Sequence, residues 1–495
     1  MNSFFKFRRI NTYLTYTFAL LLLIACHKTE IIENMSSAIN GLQQYDKLIL
    51  QDSAGLNCGT IASEDFLTQR LGIETYKLSA ITDKIFLVHF HIIRKSDGTG
   101  GLTTSQVDQV LSNLQIGMEQ ASICIVEKGR SFINNSTFFS GNPDTNFGSI
   151  VSTSRQTNAI NIYLLPTGAT AFGKADGIPS NALVLAGSYV LTPVVAHEFG
   201  HCVGLFHTHR GTARIEPGGG PAQCPELVNG SNSSTCGDYV TDTPADPEQW
   251  SFTCAYVGTG TDANGQAYSP LTDNVMSYVP PVCLLNFTPL QTARMHTAID
   301  NSSILQNAMS RITGPDVVCT NGTYNISNLP SGATVTWSTN GYLNISGSAT
   351  GTTVNVVKVA DGAGSVSAQI TTSCGTSSVV KDNIEVGSSI VLGIENMIDL
   401  QDSPSGDRFT VLAGIGNYKY TGVLTIENLS DVPTTYSWSK ISGSTGAPII
   451  GWSAQGRTVT VYSKGVNRYL RLRCTATTSC GSFSKDYWFY TGFAP

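Results

Sequence analysis

Residues 197–207 read His-Glu-Phe-Gly-His-Cys-Val-Gly-Leu-Phe-His, and the spacing of the three histidines, the glutamate and the second glycine decides how the surrounding chain must fold. On an α-helix, His197 and His201 lie four residues apart on one face, so both imidazoles can reach one zinc ion. Glu198 sits beside the pair without binding the metal, where a general base is needed. Gly204 can take the left-handed conformation that ends a helix and turns the chain. That turn returns His207 as a third ligand and leaves the fourth zinc position to water. The flanks agree: Thr192-Pro193 supplies an N-cap and a Pro at the first helical position, and Val194, Val195, Phe199, Val203 and Leu205 are apolar, as a buried helix requires. A plain core helix would instead bury three imidazoles with no partner.

Other segments extend the pattern. Asp273-Asn274-Val275-Met276-Ser277-Tyr278 is a candidate for the Met-containing turn that underlies the metal in the metzincin clan of zinc endopeptidases, which the extended histidine motif resembles. Cys236-Gly237-Asp238-Tyr239-Val240-Thr241-Asp242-Thr243-Pro244 resembles the G-D-x-x-x-D-T-P segment of the pappalysin family, and Phe287-Thr288-Pro289-Leu290-Gln291-Thr292-Ala293-Arg294-Met295 its F-T-x-x-Q-x-x-R-M helix. The resemblance runs from about residue 55 to 312. It implies an α/β metzincin catalytic domain: a twisted, mostly parallel sheet with helices above the cleft and an irregular lower subdomain. Met276 is then expected as a packing floor beneath the histidines. Tyr278 stands where several metzincins keep a tyrosine that approaches the metal, giving it a catalytic role, with a structural phenol as the alternative.

At 495 residues the chain exceeds one hydrophobic core, so two to four domains are expected. Charged residues make up 13% and the net charge is −6, which excludes a nucleic-acid footprint. Residues 1–25 read as a lipoprotein-type signal peptide: Lys6, Arg8 and Arg9 form a positive n-region, Phe18 to Ile24 an apolar one, and Leu23-Ile24-Ala25-Cys26 resembles a bacterial lipobox. The expected location is therefore outside the cell, lipid-anchored at the outer membrane or cell surface. An ordinary secretory signal with an incidental Cys26 would give a secreted protein instead.

Export permits disulfides. Four cysteines, Cys224, Cys236, Cys254 and Cys283, fall between His207 and the end of the catalytic region, and sequence alone allows three connectivities. The family pattern implies Cys254 with Cys283, leaving Cys224 with Cys236. Cys124 and Cys202 read as buried thiols in a strand and a helix. In residues 26–80, a propeptide by this reading, Asn57-Cys58-Gly59-Thr60 resembles the cysteine switch of pappalysin zymogens. A thiolate is a strong zinc ligand, so Cys58 could take the water position; the alternative is an unpaired Cys in a linker.

Within 81–312, Lys84 to Ile93 reads as a central strand, 105–121 as a backing helix with Val107, Val110, Leu111, Leu114 and Met118 at helical spacing, and Ile123–Val126 and Ile160–Leu165 as further strands. The segment 171–187, with Gly177-Ile178-Pro179 and Leu183-Val184-Leu185, is expected to hold the edge strand to which an extended substrate adds. Asp238 and Asp242, carboxylates on an irregular loop, suit a structural calcium as well as solvated side chains.

After Thr313-Gly314-Pro315 the composition turns to Ser, Thr, Gly, Val and Asn, and a repeat appears. Asn328-Leu329, Trp337-Ser338, Thr353-Val354-Asn355-Val356 and Thr371-Thr372-Ser373-Cys374-Gly375 recur as Asn428-Leu429, Trp438-Ser439, Thr458-Val459-Thr460-Val461 and Thr477-Thr478-Ser479-Cys480-Gly481. Two all-β sandwiches are expected, 315–390 and 391–495; they resemble immunoglobulin-like modules. Cys319 with Cys374 would bridge the first, and Cys474 could close a hairpin with Cys480. The functional expectation is a zinc metalloendopeptidase acting on a protein or peptide substrate, its tail binding a surface or matrix target. The alternative is a surface adhesin or glycan-binding protein with a vestigial catalytic domain, although Glu198 and all three histidines are intact.

Overall fold

The computed structural model describes residues 58, 60, 83–166, 172–213, 224–387, 392–402, 407–411, 420–428, 434–444, 451–463 and 467–491. The signal peptide, Cys26 and all of the propeptide except Cys58 and Thr60 lie outside the described residues.

A five-stranded sheet organises the first part of the chain. Its strands are β1 (Lys84–Arg94), β2 (Ile123–Asn134), β3 (Ile160–Leu164), β4 (Phe172–Ala175) and β5 (Ala182–Ala186), in the order β2-β1-β3-β5-β4. Pairings are parallel except for β4, which runs antiparallel to β5. β1 reads KIFLVHFHIIR because both of its faces are covered. Phe86, Val88, Phe90 and Ile92 face the helices, while Ile93 joins a separate cluster on the opposite face.

Helix α1 (Thr104–Glu119) buries Val107, Val110, Leu114 and Met118 against the sheet, and Thr103 with Gln106 forms a capping box at its start. Short helices α2 (Ser136–Ser140) and α3 (Phe147–Ser152) lie between β2 and β3 in sequence. Helix α4 (Val194–Cys202), buried along its whole length, carries the first two histidines. Its N-cap is Pro193, and Thr192 accepts from Val194 N at 3.3 Å. Between α4 and α5 (Pro289–Asn301) the only regular element among the described residues is a 3-10 turn at Pro281–Cys283; α6 (Ser303–Asn307) follows. That irregular stretch is bridged by Cys224–Cys236 and Cys254–Cys283.

An edge strand does lie within 171–187, on Phe172–Ala175 (β4), but Leu183, Val184 and Leu185 belong to β5, an interior strand. Branched apolar residues were the wrong signal for the edge: they mark the strand buried on both faces.

Two sandwiches follow. The first contains β6 (Arg311–Thr313), β7 (Val317–Val318), β8 (Asn321–Ser327), β9 (Thr334–Thr339), β10 (Leu343–Ile345), β11 (Thr353–Lys358), β12 (Gly362–Thr372) and β13 (Gly375–Val386), in sheets β10-β11-β8-β6 and β7-β13-β12-β9. The second contains β14 (Leu392–Ile398), β15 (Leu400–Asp402), β16 (Arg408–Val411), β17 (Tyr420–Asn428), β18 (Thr435–Gly443), β19 (Gly451–Gln455), β20 (Thr458–Ser463), β21 (Arg468–Thr478) and β22 (Gly481–Thr491), in sheets β14-β17-β20-β19 and β15-β16-β22-β21-β18.

The boundary drawn at Thr313-Gly314-Pro315 cuts through the first sandwich, because β6 pairs with β8 through Ile312↔Ile326. That sandwich also shares its core with the five-stranded sheet: Ile85 and Cys124 pack among Val318, Tyr324, Trp337 and Val366. Leu87 N donates to Ala308 O at 2.9 Å, and Ser310 N to Ile85 O at 2.8 Å.

Cysteine pairing also differs from expectation. Cys319 does not meet Cys374. Cys374 bridges to Cys124 on β2, and Cys319 bridges to Cys480. Both Cys374 and Cys480 occupy the tip of a hairpin, β12–β13 and β21–β22, at the same place in the Thr-Thr-Ser-Cys-Gly repeat. Each sandwich thus reaches back and clips itself to the domain before it. Cys124 is therefore not a free thiol, and Cys474 stays free and buried in the second core.

Candidate metal centre

The helical spacing does what it should: His197 and His201 project from one face of α4, their ring centroids 4.9 Å apart. Gly204 takes φ +104°, a conformation that a side chain would strain, and the chain turns so that His207 comes within 4.4 Å of His201 and 5.1 Å of His197. His197 Nδ1 faces Val275 O at 2.7 Å and His201 Nδ1 faces Leu205 O at 2.8 Å. A carbonyl acceptor places the proton on Nδ1 and turns the Nε2 lone pair inward, the tautomer a metal ligand needs. His201 Nε2 and His207 Nε2 lie 3.0 Å apart. His197 Nε2 is buried with no hydrogen-bond partner among the described residues, an arrangement that costs free energy unless a ligand completes it.

The fourth member is Cys58. Its Sγ and one nitrogen each of His197, His201 and His207 all lie within 4.8 Å of one another. Three neutral imidazoles and a thiol are a zinc-type donor set, so the residues fit that ion. Burial and the other imidazoles hold His197 well below the usual histidine range, in its neutral form. Burial, with the Glu198 charge second, pushes the Cys58 thiol well above its ordinary value.

Glu198 is fully buried. Its Oε2 accepts from Cys58 Sγ at 3.4 Å and from Thr60 Oγ1 at 3.5 Å, and burial pushes its carboxyl up to about 8. Thr60 Oγ1 also accepts from Ala175 N at 2.9 Å, and Cys58 bridges to Gly173. The segment holding Cys58 therefore lies along the β4 edge. Tyr278 Oη donates to Cys58 O at 2.8 Å and accepts from Cys58 N at 3.1 Å; its ring is 4.9 Å from that of His207.

Met276 is fully buried beneath α4, where a Cβ on Gly200 would meet its Sδ at 2.5 Å. The two family-like segments hold this floor. Gln291 caps α5 with Thr288 and exchanges hydrogen bonds with Asn274 at 2.8 and 3.1 Å. Arg294 Nε donates to Gly204 O at 2.8 Å, and its guanidinium lies over Phe206.

Asp238 and Asp242 do not converge on one point. Asp242 accepts from Thr288 Oγ1 at 2.6 Å and Leu290 N at 2.9 Å, serving the start of α5. Asp238 accepts from Val240 N and Thr243 Oγ1, both at 2.9 Å.

Two residues escaped the sequence reading. His209 is fully buried and stacks on His207 at 4.7 Å; its spacing two residues beyond the last histidine of the motif was the available signal. Asp246 accepts from Thr208 Oγ1 and Ser277 Oγ, both at 2.6 Å, and so ties the His207 segment to the turn beneath it. Nothing local in Thr-Asp-Thr-Pro-Ala-Asp-Pro marks that acceptor.

No protein-family profile matches the chain. An extracellular metalloprotease of Colletotrichum graminicola is 27% identical over 233 residues, covering 42% of this chain and 74% of that protein. Pappalysin-1 of Homo sapiens is 34% identical over 131 residues, 24% of this chain but only 8% of that much longer protein. An extracellular metalloprotease of Verticillium alfalfae is 30% identical over 148 residues, 28% of this chain and 44% of that protein. Among solved structures, the I-band fragment I67–I69 from titin covers 37% of this chain and 64% of its own, at 13% identity and a TM-score of 0.23, a likeness too slight to bear weight. The sequence likenesses, with the buried histidine cluster, support a metzincin or pappalysin-like metalloprotease in general terms.

Proposed function

We propose that the chain is an exported zinc metalloendopeptidase, held latent by Cys58, that hydrolyses peptide bonds in extracellular proteins. One observation carries the reading: three buried imidazoles converge, His197 Nε2 has no hydrogen-bond partner among the described residues, and the Glu198 carboxyl stands beside them. Zinc bound there would polarise the scissile carbonyl and acidify an attacking water. Glu198 takes the proton from that water and passes it to the leaving amine. The β4 edge offers backbone groups to an extended substrate, the place where Cys58 now pairs with Gly173. Tyr278, close to His207 and bonded to the Cys58 backbone, is positioned to hold the substrate carbonyl oxygen once Cys58 leaves.

Lipid attachment at Cys26 and docking of the tail on a surface or matrix target belong to the same proposal. Calcium at Asp238 and Asp242 does not, since their hydrogen bonds draw them to different partners.

The test is a set of purified variants assayed for zinc content and casein cleavage. Glu198→Ala should keep zinc and lose cleavage by several orders of magnitude, and His207→Ala should lose zinc. Cys58→Ser should abolish the lag that separates full-length protein from material trimmed near residue 80. A vestigial adhesin would show no cleavage in any form, which refutes the proposal.

A further inference from the structure

The two sandwiches share a sequence repeat, and their tryptophans set them apart. Trp337 on β9 is only 3% exposed. The segment leading to β11 crosses it: Trp337 N donates to Ala349 O at 2.7 Å, Gly351 N to Val335 O at 3.2 Å, and the indole Nε1 to Gly351 O at 2.8 Å. Trp438 on β18 is the counterpart. Its indole also donates to a glycine carbonyl, Gly456 O at 3.2 Å, yet its ring is only half-buried. Trp337 and Thr353 are 16 residues apart, whereas Trp438 and Thr458 are 20 apart. Four extra residues thus fall between them in the second repeat, and Trp452 lies in that longer connection.

β18 and β19 are edge strands of opposite sheets. Between them opens a cavity of about 350 Å³ lined by Tyr436, Trp438, Trp452, Ser437 and Ser453, with no charged side chain among the described residues that line it. The aromatic surplus is regional: residues 315–390 hold three aromatic residues and 391–495 hold fourteen. Tyr436, Trp438 and Trp452 each rest one side on the second core and are only partly buried, so the rest of each ring faces the cavity.

The lining selects a chemistry. Indole and phenol rings carry a negative π-face, which attracts the C–H-bearing face of a pyranose ring. The hydroxyls of Ser437 and Ser453 offer donors and acceptors to equatorial sugar hydroxyls. An anionic ligand would find no cationic partner here. The volume lies within the range of small-ligand pockets.

We propose that this cleft binds a neutral polysaccharide, seating one or two pyranose rings against Trp438 and Trp452. The inference rests on reading the tail as a docking element and gives that element a ligand class. It is independent of the peptidase chemistry.

The test incubates full-length protein with insoluble cellulose, chitin and xylan, and measures the fraction retained. Retention on at least one is expected, with elution by the matching soluble oligosaccharide. Trp452→Ala should weaken retention at least tenfold. Ser453→Arg, at an exposed position that leaves the aromatic packing intact, should do the same and guards against misfolding of the first variant. Both should cleave a small peptide at the parent rate. Absence of retention on all three polysaccharides, or retention that both variants keep, overturns the proposal. Retention on insoluble collagen alone would also overturn it, while leaving a docking role for the tail in place.

Discussion

Gly173 offers a direct test of how Glu198, the proposed base, is held. A Cβ built on this residue would lie 2.5 Å from Glu198 Oε1 and 3.1 Å from Val194 Cγ1. Ordinary contact begins near 3.4 Å, so Gly173→Ala forces the carboxylate back by about 1 Å. No left-handed backbone is involved: Gly173 sits in the extended strand β4 and is absent from the positive-φ glycines. The substitution therefore acts through space rather than through backbone strain. A displacement of about 1 Å in a catalytic group costs on the order of 100-fold in rate. The imidazoles are not among the nearest atoms to that Cβ, so zinc content should stay stoichiometric. We expect kcat on a short peptide, measured on trimmed enzyme, to fall about 100-fold while KM changes little. Zinc bound at parent level together with kcat within threefold of the parent would refute the placement of Glu198 against β4, and with it the reason for glycine at this position.

Three further outcomes follow from other parts of the molecule. Asp246→Ala leaves the Thr208 and Ser277 hydroxyls without their shared acceptor; the His207 segment should loosen and metal affinity fall, by less than the roughly 10–100-fold lost when a group bonded directly to a ligand is removed, read by competition with a chelator, and Asp246→Glu should restore part of it. The Cys124→Ser, Cys374→Ser pair opens a closure spanning 250 residues and should lower unfolding stability by about 2–5 kcal/mol, seen as a drop in Tm under non-reducing conditions that the parent shows only after reduction. Glu226 is 2% exposed, with Oε2 lacking a partner among the described residues; burial first, and the Asp238 charge second, push its carboxyl up to about 9. Its folded value is raised, so the folded state holds a proton that the unfolded chain releases near pH 4.5, and stability falls as pH climbs from there to about 9. Glu226→Gln should remove that slope, leaving the variant more stable than the parent at pH 8 and closer to it at pH 5 by denaturant titration.

By itself the sequence determined that three histidines would gather at one point, because that convergence is set by short-range spacing. Four residues of helix stack His197 on His201, and one glycine at φ +104° brings back His207. A reader of residues 197–207 needs no distant partner to see this. The Gln291 and Arg294 positions were legible as a motif, but their work was not. Only the folded chain shows that one braces Asn274 and the other the Gly204 carbonyl. Where remote segments had to meet, the tertiary structure decided. Composition placed a boundary at Gly314-Pro315, yet pairing of Ile312 with Ile326 and the burial of Ile85 fold the first sandwich onto the five-stranded sheet. Cys319 and Cys374 share one predicted domain and belong to different bridges, since disulfide geometry follows distance in space and a hairpin tip reaches outward from its own sandwich. Within 171–187 the Leu183-Val184-Leu185 run proved interior and Phe172–Ala175 the edge for the same reason: apolar pattern reports burial, and which strand lacks a neighbour is a property of the whole sheet.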